Sequence, residues 1–388
     1  MEDPNKKVRN LLEQLIESGK EIGLQVAAYL DGQLVIDVCA GVADPATGRT
    51  VEKDTLFAAA SCTKGITATC IHILADRKAI DYDLPIANIW PEFAAHGKDQ
   101  ITIRHALTHQ AGIPQMPDNV TPEMMCDWDA MCTAIADLPP LWEAGKKTGY
   151  HALTFGWILG EVVRRADGRP ISVFLQDEIC KPLGIKDLYL GIPDEVEDRV
   201  ANTSAAPPPP DAPVPPPDLL FLRAIPLVIL MSGFANRPDT RRASIPAGLG
   251  IMTAQALARH YAALAQGGEL DGTRILSPES IGIATQLQTE AYDEVVGPIP
   301  GYPQPVRKAL GYWLGGPRTP ADSYHAAMGD KSTTFGHPGA GGMIAFADPE
   351  QRFSFAFLKN YSPPMGASGP DSAYTVAQSV RTVLGLSE

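Results

Sequence analysis

Apolar residues recur at helical spacing over residues 8–16 (Val8, Leu11, Leu12, Leu15, Ile16) between charged positions, which predicts an amphipathic N-terminal helix. The pattern then changes to two extended runs, 24–30 and 33–39. They are separated by Asp31-Gly32, the pair that most strongly predicts a type I′ hairpin. Near the other end, residues 342–348 and 352–359 read as strands flanking Pro349-Glu350-Gln351, and a helical pattern over 372–386 closes the chain. Between these ends the pattern is helical at 103–109, 155–165, 171–180 and 253–266. Strand material at both ends with helices between predicts an α/β (α+β) fold: an antiparallel sheet flanked by terminal helices, with a mostly helical domain inserted. The expected division is a discontinuous α/β domain of residues 1–60 and 305–388 and a helical domain of 61–304, with the ligand cleft between them. Residues 206–217 hold too many prolines for helix or sheet and read as an extended surface loop, an SH3-type docking segment being the alternative.

One run breaks the amphipathic rule. Ser61-Cys62-Thr63-Lys64 heads a stretch, Gly65 to Ala75, that carries no charge until Asp76, so the helix there reads as buried nearly all round. Residues three apart share a helix face, which pairs Ser61 with Lys64. At a helix start the unpaired N–H groups and the macrodipole favour negative charge and disfavour a cation. A lysine that is also walled in by apolar groups loses its proton more readily, and the neutral amine can accept the serine proton. Cys62, two residues from Lys64, points to roughly the opposite side and is read as packing.

Composition narrows the class. Forty-five acidic against thirty-two basic residues gives a net charge of −13, which repels nucleic acid and anionic membrane surfaces. The N-terminal pattern lacks an apolar signal core, and no stretch reaches the length of a membrane span, so a cytoplasmic location is expected. The six cysteines include no Cys-x-x-Cys pair and sit among apolar neighbours, as reduced, buried thiols do.

Two further clusters carry chemistry. Gly149-Tyr150-His151-Ala152 precedes a helix, placing a phenol in a glycine-containing loop, with His151 a candidate for the cleft lining. Phe335-Gly336-His337-Pro338-Gly339-Ala340-Gly341-Gly342 runs into a strand; its glycines permit close backbone approach and would let the Ala340 N–H join the Ser61 N–H around an oxyanion. The nearby Lys331-Ser332-Thr333 competes for the same role but lacks the glycine. No residue spacing suits a metal: His105 and His109 share a helix face without the adjacent Glu of a zinc protease, and read as capping or core residues. His72 reads as a core histidine, and Trp157, Tyr312 and Trp313 as core aromatics, with an acyl pocket the alternative.

Ser61-x-x-Lys64, Tyr150 and His337-x-Gly339, in this order, resemble the three boxes of the serine β-lactamase and penicillin-binding-protein superfamily. The lines Leu107-Thr-His-Gln-Ala-Gly-Ile-Pro114, Gly248-Leu-Gly-Ile-Met-Thr253 and Gly268-Glu-Leu-Asp-Gly-Thr-Arg-Ile-Leu-Ser277 are similar to the class C-related carboxylesterases called family VIII, over roughly residues 20–385. The resemblance implies a serine nucleophile at Ser61, a proton-transfer pair of Lys64 and Tyr150, an oxyanion hole of the Ser61 and Ala340 N–H groups, substrate contacts at His337 and Gly339, and no cofactor. Two departures count against a lactam substrate. Ala152 stands where class C lactamases carry an asparagine, and His337 where the third box carries a lysine. The expected function is therefore hydrolysis of a small, short-chain ester. A β-lactamase, a D-amino-acid peptidase, an acyltransferase and a non-catalytic partner protein are the alternatives.

Overall fold

Nine strands make one antiparallel sheet in the computed structural model, which describes residues 3–207, 216, 219–299, 302, 304–316, 326–363 and 371–387. In chain order they are β1 (Gly23–Leu30), β2 (Gln33–Asp44), β3 (Arg49–Thr50), β4 (Thr289–Ala291), β5 (Val306–Lys308), β6 (Trp313–Leu314), β7 (Phe335–Gly339), β8 (Met343–Asp348) and β9 (Phe353–Lys359). Their spatial order is β4-β5-β6-β7-β8-β9-β1-β2-β3, so the first and last strands of the chain lie side by side at its centre, with Leu24 opposite Lys359 and Val26 opposite Phe357. The β1–β2 hairpin turns on Asp31 and Gly32 with φ of 49° and 79°, both positive as a type I′ turn requires.

The helices that matter here are α1 (Pro4–Glu17), α2 (Thr63–Asp76), α3 (Thr154–Asp167), α4 (Ala254–Ala265) and α5 (Ser372–Leu384). The period-two alternation of β9 decides which face each covers. Phe353, Phe355 and Phe357 point to one side and pack with Val8 and Leu12 of α1 and Val376 and Val380 of α5. Ala356 and Leu358 point to the other, where α4 presents Ala258 and Ala262. Small residues on both partners let α4 approach closely enough for the Ser354 hydroxyl to donate to the Ala258 carbonyl at 2.8 Å.

On that second face the core continues without a break into the helical part of the chain, through α2, buried from Thr63 to Leu74, and α3 packed against it. The boundary expected at residue 305 lies inside the sheet, because Thr289–Ala291 is already its edge strand, and α4, from the central segment, covers it. The expected proline-dense loop lies mostly outside the described residues. All six cysteines are free thiols, five buried and Cys126 half-buried. Among the described residues no helix is long and apolar enough to cross a membrane.

Candidate active site

Phe57–Ala58 pairs with Ile251–Met252, and the chain then turns through a short 3₁₀ segment, Ala60–Cys62, into α2. The turn needs Ala60 at a φ of 44°, a left-handed conformation that costs an alanine about 1 kcal/mol. Three contacts hold it there: Ala59 N–H donates to the Gly250 carbonyl at 2.8 Å, Thr63 Oγ1 donates to the Ala60 carbonyl at 2.5 Å, and Gly250 N–H donates to Thr63 Oγ1 at 2.8 Å. Gly250 is required by this close packing, since a Cβ on it would fall 2.7 Å from Thr63 Oγ1. Ser61 thus stands half-buried one tight turn ahead of α2.

The Lys64 side chain is fully buried, and its Nζ lies 3.2 Å from Ser61 Oγ, 2.7 Å from the Ala152 carbonyl and 2.8 Å from the Ala247 carbonyl. Among the described residues no carboxylate pairs with it, and desolvation holds its pKa well below the ordinary lysine value. A neutral amine has two N–H bonds and one lone pair. The two carbonyls take the N–H bonds, and the lone pair is left facing the serine hydroxyl.

Cys62 faces the other way, as its spacing predicts. A Cβ added to Gly339 of β7 would lie 3.0 Å from Cys62 Sγ and 2.9 Å from the Ala59 carbonyl, so glycine lets the strand run directly against the serine turn. Burial pushes the Cys62 thiol up to about 12, which removes it as a nucleophile.

The loop carrying Tyr150 closes over Lys64. The Tyr150 ring is only 5% exposed, with its centroid 4.7 Å from Lys64 Nζ. Ring centroids of His109, Trp313 and His337 surround it at 4.9, 5.8 and 6.1 Å. The backbone of the loop is held by Gly149 N–H to the His109 carbonyl at 2.9 Å and Tyr150 N–H to Asp293 Oδ1 at 3.0 Å. His151 does not line the cleft. Its side chain is fully buried, Nδ1–H donating to the Gly149 carbonyl at 2.7 Å and Nε2 accepting Ile113 N–H at 3.1 Å, an arrangement that uses both nitrogens in the neutral ring.

His337 lies in β7, buried, with Nδ1 2.7 Å from the Pro338 carbonyl and its ring stacked toward Tyr150 and 5.2 Å from Trp313. Ala340 follows in the exposed turn between β7 and β8. Lys331-Ser332-Thr333 is elsewhere: Lys331 reaches Asp348 and Glu350, and Thr333 Oγ1 donates to Glu350 at 2.9 Å. His105 caps its own helix in a box with Thr102, and His72 is a satisfied core residue between Tyr82 Oη at 2.9 Å and the Leu310 carbonyl at 3.0 Å. Trp157 and Tyr312 belong to the core, whereas Trp313 borders the site. His109 has a larger part than capping or core filling. It adopts a φ of 60°, packs its ring against Tyr150 at a tilt of 52° and accepts the His151 N–H on Nδ1 at 3.1 Å. Its place three residues before Gly112 in a turn-rich line was the available signal.

The beta-lactamase family sequence model matches residues 8–378. The esterase/beta-lactamase LipL of Mycobacterium tuberculosis is 34% identical over 87% of this chain and 77% of that one. Two solved structures superpose along nearly the whole chain. A penicillin-binding-protein homologue from Caulobacter crescentus is 34% identical with a TM-score of 0.82, covering 97% of both chains. A family VIII carboxylesterase is 31% identical with a TM-score of 0.84, covering 98% of this chain and 97% of that one. The chain belongs to the beta-lactamase family and is a serine hydrolase of that fold.

Proposed function

We propose that this protein is a carboxylesterase that cleaves short-chain carboxylic esters by double displacement through an acyl-enzyme on Ser61. The observation that carries this reading is the Lys64 amine, without a carboxylate partner among the described residues and 3.2 Å from Ser61 Oγ. The serine oxygen attacks the ester carbonyl while its proton passes to the Lys64–Tyr150 unit. As the bond to the alcohol oxygen breaks, the same unit returns that proton to the departing alcohol. Water then attacks the acyl-serine by the reverse sequence and frees the acid. The N–H groups of Ser61 and Ala340 hold the oxyanion, a contribution of about 3 kcal/mol per donor in comparable sites.

Ester is favoured over lactam by what the site lacks. Ala152 gives its carbonyl to Lys64 and has only a methyl group to offer a substrate. His337, with Nδ1 engaged by the Pro338 carbonyl, supplies no permanent cation for a substrate carboxylate. The name of the family VIII carboxylesterase structure agrees with this choice.

A fluorophosphonate probe should add once, on the peptide containing Ser61. Loss of two orienting contacts should place kcat/KM for p-nitrophenyl acetate or butyrate at least about a hundredfold above that for nitrocefin. Nitrocefin turnover equal to ester turnover would replace the esterase reading with a β-lactamase.

A further inference from the structure

Asp293, in the loop after β4, and Lys308, in β5, form an ion pair at 2.5 Å with side-chain exposures of 0% and 1%. Removing two charges from water costs several kcal/mol per ion, and replacing such pairs with apolar residues is often neutral or stabilising. Stability alone is therefore a poor reason for this one, and its other contacts point elsewhere. Asp293 Oδ1 accepts three backbone N–H groups, from Tyr150 at 3.0 Å, Val295 at 2.9 Å and Val296 at 3.0 Å. Lys308 Nζ also donates to Thr148 Oγ1 at 2.7 Å, and Thr148 Oγ1 donates in turn to the Thr108 carbonyl at 3.3 Å. The Glu294 N–H completes the join by donating to the Thr148 carbonyl at 2.9 Å.

Residues 148–150 are thus gripped on three sides: Thr148 by Lys308, Gly149 by the His109 carbonyl, and Tyr150 by Asp293. Lys308 is itself fixed by strand pairing with Thr289 and Trp313, so the grip is referred to the frame of the sheet. A hydrogen bond links the pair to Tyr150 through its backbone N–H. We infer that the Asp293–Lys308 pair, with Thr148, is a positioning device that sets the phenol of Tyr150 against Lys64 and Ser61. This rests on the reading of Tyr150 as half of the proton-transfer unit.

The test compares kcat and KM for p-nitrophenyl butyrate in the full chain for Asp293→Ala and Thr148→Val, each made in the wild type and in Tyr150→Phe. Asp293→Ala should lower kcat about a hundredfold, the scale of a 1 Å misplacement, with KM little changed. Thr148→Val, which keeps the shape and deletes the two hydrogen bonds of the hydroxyl, should lower kcat in the same direction by less. Neither should slow the residual reaction of Tyr150→Phe, where no phenol remains to be placed. The double variant Asp293→Asn/Lys308→Met keeps an acceptor for the three N–H groups and leaves no lone charge, and it should recover most of the kcat lost in Asp293→Ala. Losses of equal size in both backgrounds would make the device merely structural and overturn the inference. If Asp293→Ala does not fold, the two-background comparison with Thr148→Val decides by the same criterion. A Tyr150→Phe enzyme with wild-type kcat overturns the reading of Tyr150 and the inference with it. A crippled Tyr150→Phe enzyme alongside full kcat in Asp293→Ala and Thr148→Val overturns the inference alone.

Discussion

Three of the buried lysines, Lys64, Lys98 and Lys308, meet three different sets of oxygens, and the contrast marks Lys64 as the proposed chemical amine. Lys308 faces the Asp293 carboxylate and the Thr148 hydroxyl. Lys98 donates to the carbonyls of Ala95, Ala136 and Leu138 at 2.8, 2.8 and 2.6 Å. Three carbonyls can be satisfied only by three N–H bonds, so that site requires the ammonium form even though burial lowers the Lys98 pKa to about 8. Lys64 differs by one partner. A serine hydroxyl replaces the third carbonyl, and a hydroxyl can give a hydrogen bond as well as take one. Burial disfavours every one of these cations; the third oxygen decides which amine can let its proton go at no cost in hydrogen bonds.

The sharpest break of this comparison is the same substitution at two places. Lys64→Met should lower kcat by several orders of magnitude, and adding Tyr150→Phe should cost little more, because residues that act as one unit are not additive. Its folding stability should fall only by what the Ala152 and Ala247 carbonyls lose with their donor, about 1–3 kcal/mol, because among the described residues no carboxylate is left unpaired. Lys308→Met should cost more, about 3–5 kcal/mol, by leaving Asp293 charged and without this partner, as read by denaturant unfolding. Equal destabilisation at both positions would erase the distinction.

A pH profile gives the next largest effect. As the proposed base, Lys64 can act only without its proton, so kcat/KM should fall as pH drops through its ionisation, and that limb should lie well below the ordinary lysine range. Stability carries a separate signature. Burial lowers His72 and His260 to about 3 and His151 to about 4, so below about pH 6.5 the unfolded chain takes up protons that the folded chain refuses. Stability should therefore fall as pH drops from about 6.5 toward 4, by up to about 1.4 kcal/mol per pH unit for each of these histidines. A flat stability between those pH values would show that these rings are solvated. Smallest of all, Cys62→Ala should leave kcat within a few-fold, measured on the same ester; a large loss would mean that β7 cannot keep its place against the serine turn.

Much of this was legible in the chain because it is local. The alternation in β9, the Asp31-Gly32 turn and the three-residue spacing of Ser61 and Lys64 each rest on neighbours a few residues apart. What was not legible rests on distant partners. Asp293 is one acid among forty-five, and nothing near it in sequence announces that it takes the N–H of Tyr150, 143 residues away. His151 looked like a cleft residue because Tyr150 is its neighbour, but consecutive residues of an extended loop point to opposite sides, and the one beside the phenol is buried behind it. His109 is the converse: remote in sequence from Tyr150, it packs against its ring.

The pairing of β1 with β9 sets a schedule for synthesis. The central ladder joins residues more than three hundred positions apart, so it cannot form until β9 has left the ribosome, and closing so long a loop is slow compared with local helix formation. The serine turn is walled by β7, which is made long after it. The nascent polypeptide therefore holds Ser61 and Lys64 through the synthesis of the whole helical segment without the strand that completes their setting, so the proposed hydrolytic competence must wait for closure of the sheet.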